Sequence, residues 1–159
     1  MFGRVSNRIK GAYANSQLAL ADMYGIYVSI FAEVANNYME LRGTQYLLDI
    51  ANRNVKGQQD TYDLTVQLSE AGTSNSLDVL RASAQLENTR ATIPPLKARL
   101  EALKNSLSVL IGEKPGNLET EVVNQQPLPS LPNSVALGDL NELLRRRPDV
   151  RRAEARLQI

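Results

Sequence analysis

The residue types that most often carry chemistry are scarce in this sequence. Its 159 residues include no Cys and no His. That removes thiolate nucleophiles, zinc sites built on Cys or His, and imidazole acid–base catalysis. Carboxylates remain, and Asp60 with Asp63, or Glu119 with Glu121, are close enough in sequence to share an acid–base task. Neither pair has pocket-forming residues around it, so both read as solvated surface. The cations concentrate in Arg145, Arg146, Arg147, Arg151, Arg152 and Arg156, a run that could hold phosphate or nucleic acid. Glu142, Asp149 and Glu154 are interleaved with it, and Glu142 and Arg146 stand at i, i+4. No stacking aromatics accompany the run, and the chain carries 18 basic against 17 acidic residues. Helix packing and salt bridging is therefore the better reading, with no nucleic-acid partner. No glycine-rich phosphate loop is present. The expectation is no enzyme: no catalytic, cofactor-binding or metal-binding residue.

A third cluster, Gly72-Thr73-Ser74-Asn75-Ser76 followed by Leu77 and Asp78, is suited to recognition. Small residues let another helical element come close. Hydroxyls, amides and free backbone groups can bond across such a contact. Turn chemistry alone would also select these residues.

The elements that position these clusters are helices. From Arg4 to about Ala71 there is no Pro. Val5, Ile9, Ala12, Ser16, Ala19, Met23, Ile26 and Ile30 step by four and three, one helical stripe. The phase then slips by one residue, and Val34, Leu41, Leu48, Val55 and Tyr62 follow at heptad spacing. Their companions Tyr38, Gln45, Asn52, Gln59 and Val66 are mixed, which suits a helix with one wet side. Gln45, Asn52 and Gln59 are expected to face water, either in a lumen or outside. A single helix over 4–71 would be roughly 100 Å long, beyond the globular range and fit for a coiled coil or helical barrel. Two Phe, six Tyr and no Trp also favour an elongated helical object over a compact core.

The segment 72–76 is the expected tip, with Gly72 ending one helix and Ser76 capping the next. Asp78 adds a favourable charge to the first turn. The return stripe is Ala82, Leu86, Thr89, Ile93, Leu96, Leu100, Leu103, Leu107 and Leu110. It predicts one helix over 76–111, kinked at Pro94-Pro95, with two stacked helices as the second choice. Residues 1–112 thus form a long antiparallel hairpin. Residues 113–138, with Pro115, Pro127, Pro129 and Pro132, read as a connector. Asp139 opens a short helix, and Pro148 suits the first turn of another within 139–159. The fold class is all-α. No uninterrupted run of about 18 apolar residues is present, so no transmembrane helix is expected. The start, MFGRVSNRIKGAYANSQ, lacks the apolar core of a secretory signal.

The segment LGDLNELLRRRPDVRRAEARL, Leu137 to Leu157, resembles the opening of the second structural repeat in TolC-type outer-membrane efflux channels. The resemblance is to the efflux lipoprotein branch that works with resistance-nodulation-division pumps. Leu143, Leu144, Arg146, Arg147, Pro148, Asp149, Val150, Arg151, Ala153 and Glu154 fit its LL-x-RRPD-(I/V)-R-x-A-E run. Phe2-Gly3-Arg4-Val5 resembles the strand-to-helix junction. Glu70-Ala71-Gly72 with Leu77-Asp78-Val79-Leu80 resembles the hairpin tip, and Leu110-Ile111-Gly112 with Pro115-Gly116 the end of the return helix.

The resemblance implies an internal segment of a longer protein. Its parent would be a homotrimer whose outer-membrane β-barrel continues into a periplasmic α-helical barrel in a Gram-negative cell envelope. The β-hairpins, a lipid-anchored or signal-bearing N-terminus, and the second helical hairpin with the gating residues would lie outside this sequence. Gly72, Thr73, Ser74, Asn75, Ser76, Leu77 and Asp78 would dock a periplasmic adaptor coupled to an inner-membrane pump. Leu143 to Asp149 would be a structural repeat junction. The implied activity is a passive exit duct of a tripartite efflux system, needing no cofactor. Periodicity alone also allows a coiled-coil scaffold or a periplasmic adaptor hairpin; the Pro-rich connector and further helix disfavour the adaptor.

Overall fold

The computed structural model describes residues 3–118, 120–130, 132, 134 and 139–157, with backbone alone at 120, 121, 140 and 141. All regular elements among these residues are helices: α1 (Arg4–Glu70), α2 (Ser76–Arg90), α3 (Ile93–Leu110), α4 (Thr120–Val123), α5 (Leu140–Arg146) and α6 (Pro148–Leu157). They fall into two units, Met1–Ala35 with Ser130–Ile159, and Asn36–Pro129. The reason is local: α6 packs on the N-terminal part of α1, so the chain's two ends share a unit.

Within the first unit the expected stripe is not the packed face. Val5, Ile9, Ala12, Ser16, Ala19, Met23 and Ile26 are exposed, and only Ile30 is half-buried. The covered face runs through Gly11, Ala14, Leu18, Ala21 and Gly25, again in steps of three and four. Side chains this small let a neighbouring helix approach closely. A Cβ added at Gly25 would stand 3.7 Å from the Pro148 Cβ. Arg152 on α6 bonds Asp22 on α1 at 3.1 Å, and Ala155 is buried. The N-terminal part of α1 is also long and apolar enough to cross a membrane by length and composition, with very little of it buried. Asp22 and Glu33 interrupt the stretch without offsetting its apolar content.

The second unit follows its sequence pattern closely. Leu41 is fully buried, and Leu48, Val55 and Tyr62 are half-covered; Val34, which begins the row, falls in the first unit and is half-covered too. From the return segment Leu86, Leu103 and Leu107 are buried, and Ala82, Thr89, Ile93, Leu96, Leu100 and Leu110 are half-buried. Arg90 donates to Gln59 across the hairpin at 2.6 Å, and Arg99 pairs with Glu40. The polar companions divide. Asn52 is exposed, Gln59 bonds Asp63 and Arg90, and Gln45 is buried against the connector. Gln45 therefore faces neither a lumen nor bulk water.

The return segment is two helices, not one kinked helix. α2 stops at Arg90 and α3 starts at Ile93. Pro94 and Pro95 lack the donors that would bond the carbonyls four residues back. At the start of a new helix those donors have no intrahelical partner in any case, so the prolines are well tolerated there. Ala91 and Thr92 keep right-handed helical angles (φ −63° and −75°), which is why the leucine phase continues through the break.

Candidate functional site

The tip is built by one stop signal and one start signal. Gly72 takes φ +74°, a left-handed conformation that costs a residue with a Cβ. Thr73 N donates to Leu68 O at 2.9 Å, and Gly72 N donates to Ser69 O at 3.0 Å. These two bonds form a Schellman motif that satisfies the last carbonyls of α1. The start of α2 departs from expectation. Asn75, not Ser76, is the N-cap: its φ and ψ are extended and its side chain accepts from Asp78 N at 2.9 Å. Ser76 is the first helical residue. The asparagine oxygen can reach the third helical N–H from one position earlier than a cap at Ser76 would require.

Much of the tip's polar capacity is used internally. Thr73 Oγ1 donates to Leu68 O at 2.9 Å, and Ser74 Oγ donates to Asp78 Oδ2 at 3.3 Å. Arg81 stands 3.8 Å from Asp78. Ser74 and Asp78 are half-buried, whereas Gly72, Thr73, Asn75, Ser76 and Leu77 are exposed. The tip therefore offers less free hydrogen bonding than its composition suggests. It offers apolar surface as well: Leu77 is 51% and Leu80 65% exposed. Leu80 belongs to the tip resemblance but lies beyond the expected docking set Gly72 to Asp78. Its signal is positional, because Leu77 and Leu80 stand three apart and off the stripe that begins at Ala82.

The arginine-rich segment is tied down by ion pairs. Arg147 Nε and Nη2 grip Asp149 at 3.1 and 2.6 Å. These hydrogen bonds hold the Asp149 carboxyl below the usual carboxylate range and the Arg147 guanidinium above its own. Asp149 also accepts from Val150 N at 3.0 Å in the first turn of α6. Arg146 pairs with Glu142, as the i, i+4 spacing requires. Arg151 lies 6.0 Å over the Tyr24 ring. Pro148 opens α6, while Leu143 and Leu144 on α5 are exposed. Asp60 and Asp63 are both exposed, with Asp63 held by Gln59. Glu119 and the side chain of Glu121 lie outside the described residues.

Residues 1–113 match the family described as outer membrane efflux protein. The chain belongs to that family. It is 30% identical over 158 residues to the toluene efflux pump outer membrane protein TtgF of Pseudomonas putida, covering 99% of this chain and 32% of TtgF. Nodulation protein T of Rhizobium leguminosarum bv. trifolii is 27% identical over 153 residues, 96% of this chain and 33% of that protein. The solved outer-membrane channel OprN matches at TM-score 0.90 and 39% identity over 99% of this chain and 35% of OprN. The chain thus spans about a third of the length of the relatives it matches. This is a family of TolC-type transport proteins. It belongs to the outer membrane of Gram-negative bacteria, with a helical segment such as this one in the periplasm.

Proposed function

We propose that this chain forms part of the periplasmic wall of an outer-membrane exit duct, a passive conduit in a tripartite efflux system for small molecules. The observation that carries this reading is a family match over a helical hairpin that ends in an exposed, internally hydrogen-bonded tip. The transport energy comes from an inner-membrane pump, and the chain itself contributes no catalytic step and no cofactor. The working assembly is a homotrimer in which neighbouring hairpins cover the exposed apolar face of α1. A match to the channel family rather than to adaptors favours this over an adaptor hairpin or a scaffold.

In this reading the tip, Gly72 to Asp78 extended to Leu80, docks the helical hairpins of a periplasmic adaptor. Leu77 and Leu80 supply the apolar contact, because Thr73, Ser74 and Asp78 are committed to the turn. Gly72 is a poor probe of docking, since any side chain there would strain the turn. Leu77→Arg with Leu80→Arg leaves the turn bonds in place. In the full-length protein this double variant is expected to lose adaptor capture and drug efflux while retaining its trimer. Unchanged capture and unchanged efflux would refute the docking role.

A further inference from the structure

The unit Asn36–Pro129 encloses one arginine almost completely. Arg42 on α1 is 2% exposed, and Gln45, one turn later, is 6% exposed. Arg42 Nη1 donates to Asn124 O at 2.5 Å and to Gln45 Oε1 at 2.8 Å. Gln45 Nε2 in turn donates to Val123 O at 3.0 Å. The guanidinium also lies 4.9 Å over the Tyr38 ring. Both backbone acceptors sit at the C-terminal end of α4, where the last carbonyls of a helix have no partner of their own. A single helical turn such as α4 is too short to be stable alone.

Apolar cover on this segment is thin. Val122 is half-buried, while Val123 and residues 124–129 are exposed. What fixes residues 120–129 to α1 is therefore largely the buried polar pair. Its bonds reach 78 and 82 residues along the chain. A buried cation and buried carbonyls are costly to leave unsatisfied, so the arrangement tends to be fully made or fully open.

We propose that Arg42 and Gln45 form a latch that holds residues 120–129 on α1 as a strap, and that this strap opens as a unit when the latch is removed. Arg42 and Gln45 are positioning residues in this scheme. The latch is independent of whether the tip docks an adaptor.

The test is hydrogen exchange on the full-length protein in detergent, comparing amides of residues 120–126 with those of the tip, 68–78, as an internal reference. Arg42→Met keeps the length of the side chain and removes its donors. It is expected to speed exchange in the strap by about tenfold or more, the size associated with losing a hydrogen bond to a charged group, with the tip unchanged. Gln45→Leu should give a smaller acceleration confined to the same amides. Arg42→Lys should restore part of the protection, since one ammonium can still reach one carbonyl. Unchanged strap protection in Arg42→Met, or acceleration spread equally to the tip, would overturn the latch. If Arg42→Met does not fold, Gln45→Leu decides alone: acceleration confined to the strap supports the latch, and no change or a uniform change overturns it.

Discussion

The two units handle apolar residues in opposite ways. In Asn36–Pro129 the stripe that sequence periodicity marks is the packed one: Leu41, Leu86, Leu103 and Leu107 are buried, and the remaining stripe residues are at least half-covered, while Leu47, Leu64, Leu77 and Leu80 lie off it and are exposed. In Met1–Ala35 with Ser130–Ile159 the buried residues of α1 are Ala14 and Ala21, flanked by half-covered Gly11, Leu18, Gly25 and Ile30. The large residues, Tyr13 at 67% and Phe31 at 69% exposure among them, lie outside. Tyr27 and Phe31 stack on each other at 6.2 Å, and both rings remain largely open to solvent, at 47% and 69% exposure. One unit thus buries its periodic stripe by itself, whereas the other uses small residues for its own packing and leaves its bulky stripe for something else to cover. An exposed contiguous apolar surface of this kind marks an interaction site in a working protein.

If that contrast is right, truncation in the hairpin must hurt most. Leu107→Ala should destabilise the hairpin by about 2–5 kcal/mol, read as a fall in the midpoint of denaturant unfolding followed by circular dichroism. A cost under about 1 kcal/mol would show that the hairpin stripe is no better packed than the exposed one. The tip comes next. Gly72→Ala forces a Cβ into the left-handed region and should cost roughly 1–2 kcal/mol in the same measurement. Asn75→Ala removes the cap on α2 and should cost about 1 kcal/mol, whereas Ser76→Ala should cost less because Ser76 is not the cap. An equal loss at both positions would return the cap to Ser76.

How legible each part was depended on whether the chain itself covers it. The heptad row from Leu41 to Tyr62 and the return row from Ala82 to Leu110 could be read directly, because each pattern has a partner within its unit. The stripe from Val5 to Ile30 could not. Two stripes coexist on the N-terminal part of α1, and periodicity marks the bulky one, while close approach selects Gly11, Ala14, Ala21 and Gly25. The break at Ala91–Thr92 was hidden for a related reason, since the stripe holds its phase whether or not two donors are missing. At the tip, composition located the turn but not its bonding. Asn75 and Ser76 are both good caps, and only backbone angles separate them. Gln45 read as a wet seam position because its acceptor lies 78 residues away, beyond any local pattern.

Substitution on the exposed face sharpens the contrast from the other side. Phe31→Ser should change the stability of this chain by no more than about 0.5 kcal/mol, because the ring is 69% exposed. In the full-length protein the same change should weaken the trimer, seen as a shift to smaller species in native mass measurements. Equal stability together with unchanged assembly would mean that the exposed face covers nothing.

The smallest effect belongs to the start of α6 and follows pH. The hydrogen bonds from Arg147 hold the Asp149 carboxyl below its ordinary range, with the bond from Val150 N acting in the same direction. A carboxyl depressed in the folded state contributes stability above its unfolded pKa and loses that contribution as pH falls through the folded one. The first turn of α6 should therefore keep its order through neutral and mildly acidic pH and loosen only below the ordinary carboxylate range. Because the pair is fully exposed and screened by solvent, the change should be confined to amides near Val150 rather than spread along the hairpin. An NMR titration of the Asp149 carboxyl checks this, with Arg147→Gln expected to move its midpoint upward. A midpoint unmoved by that substitution would assign the depression to the helix start instead.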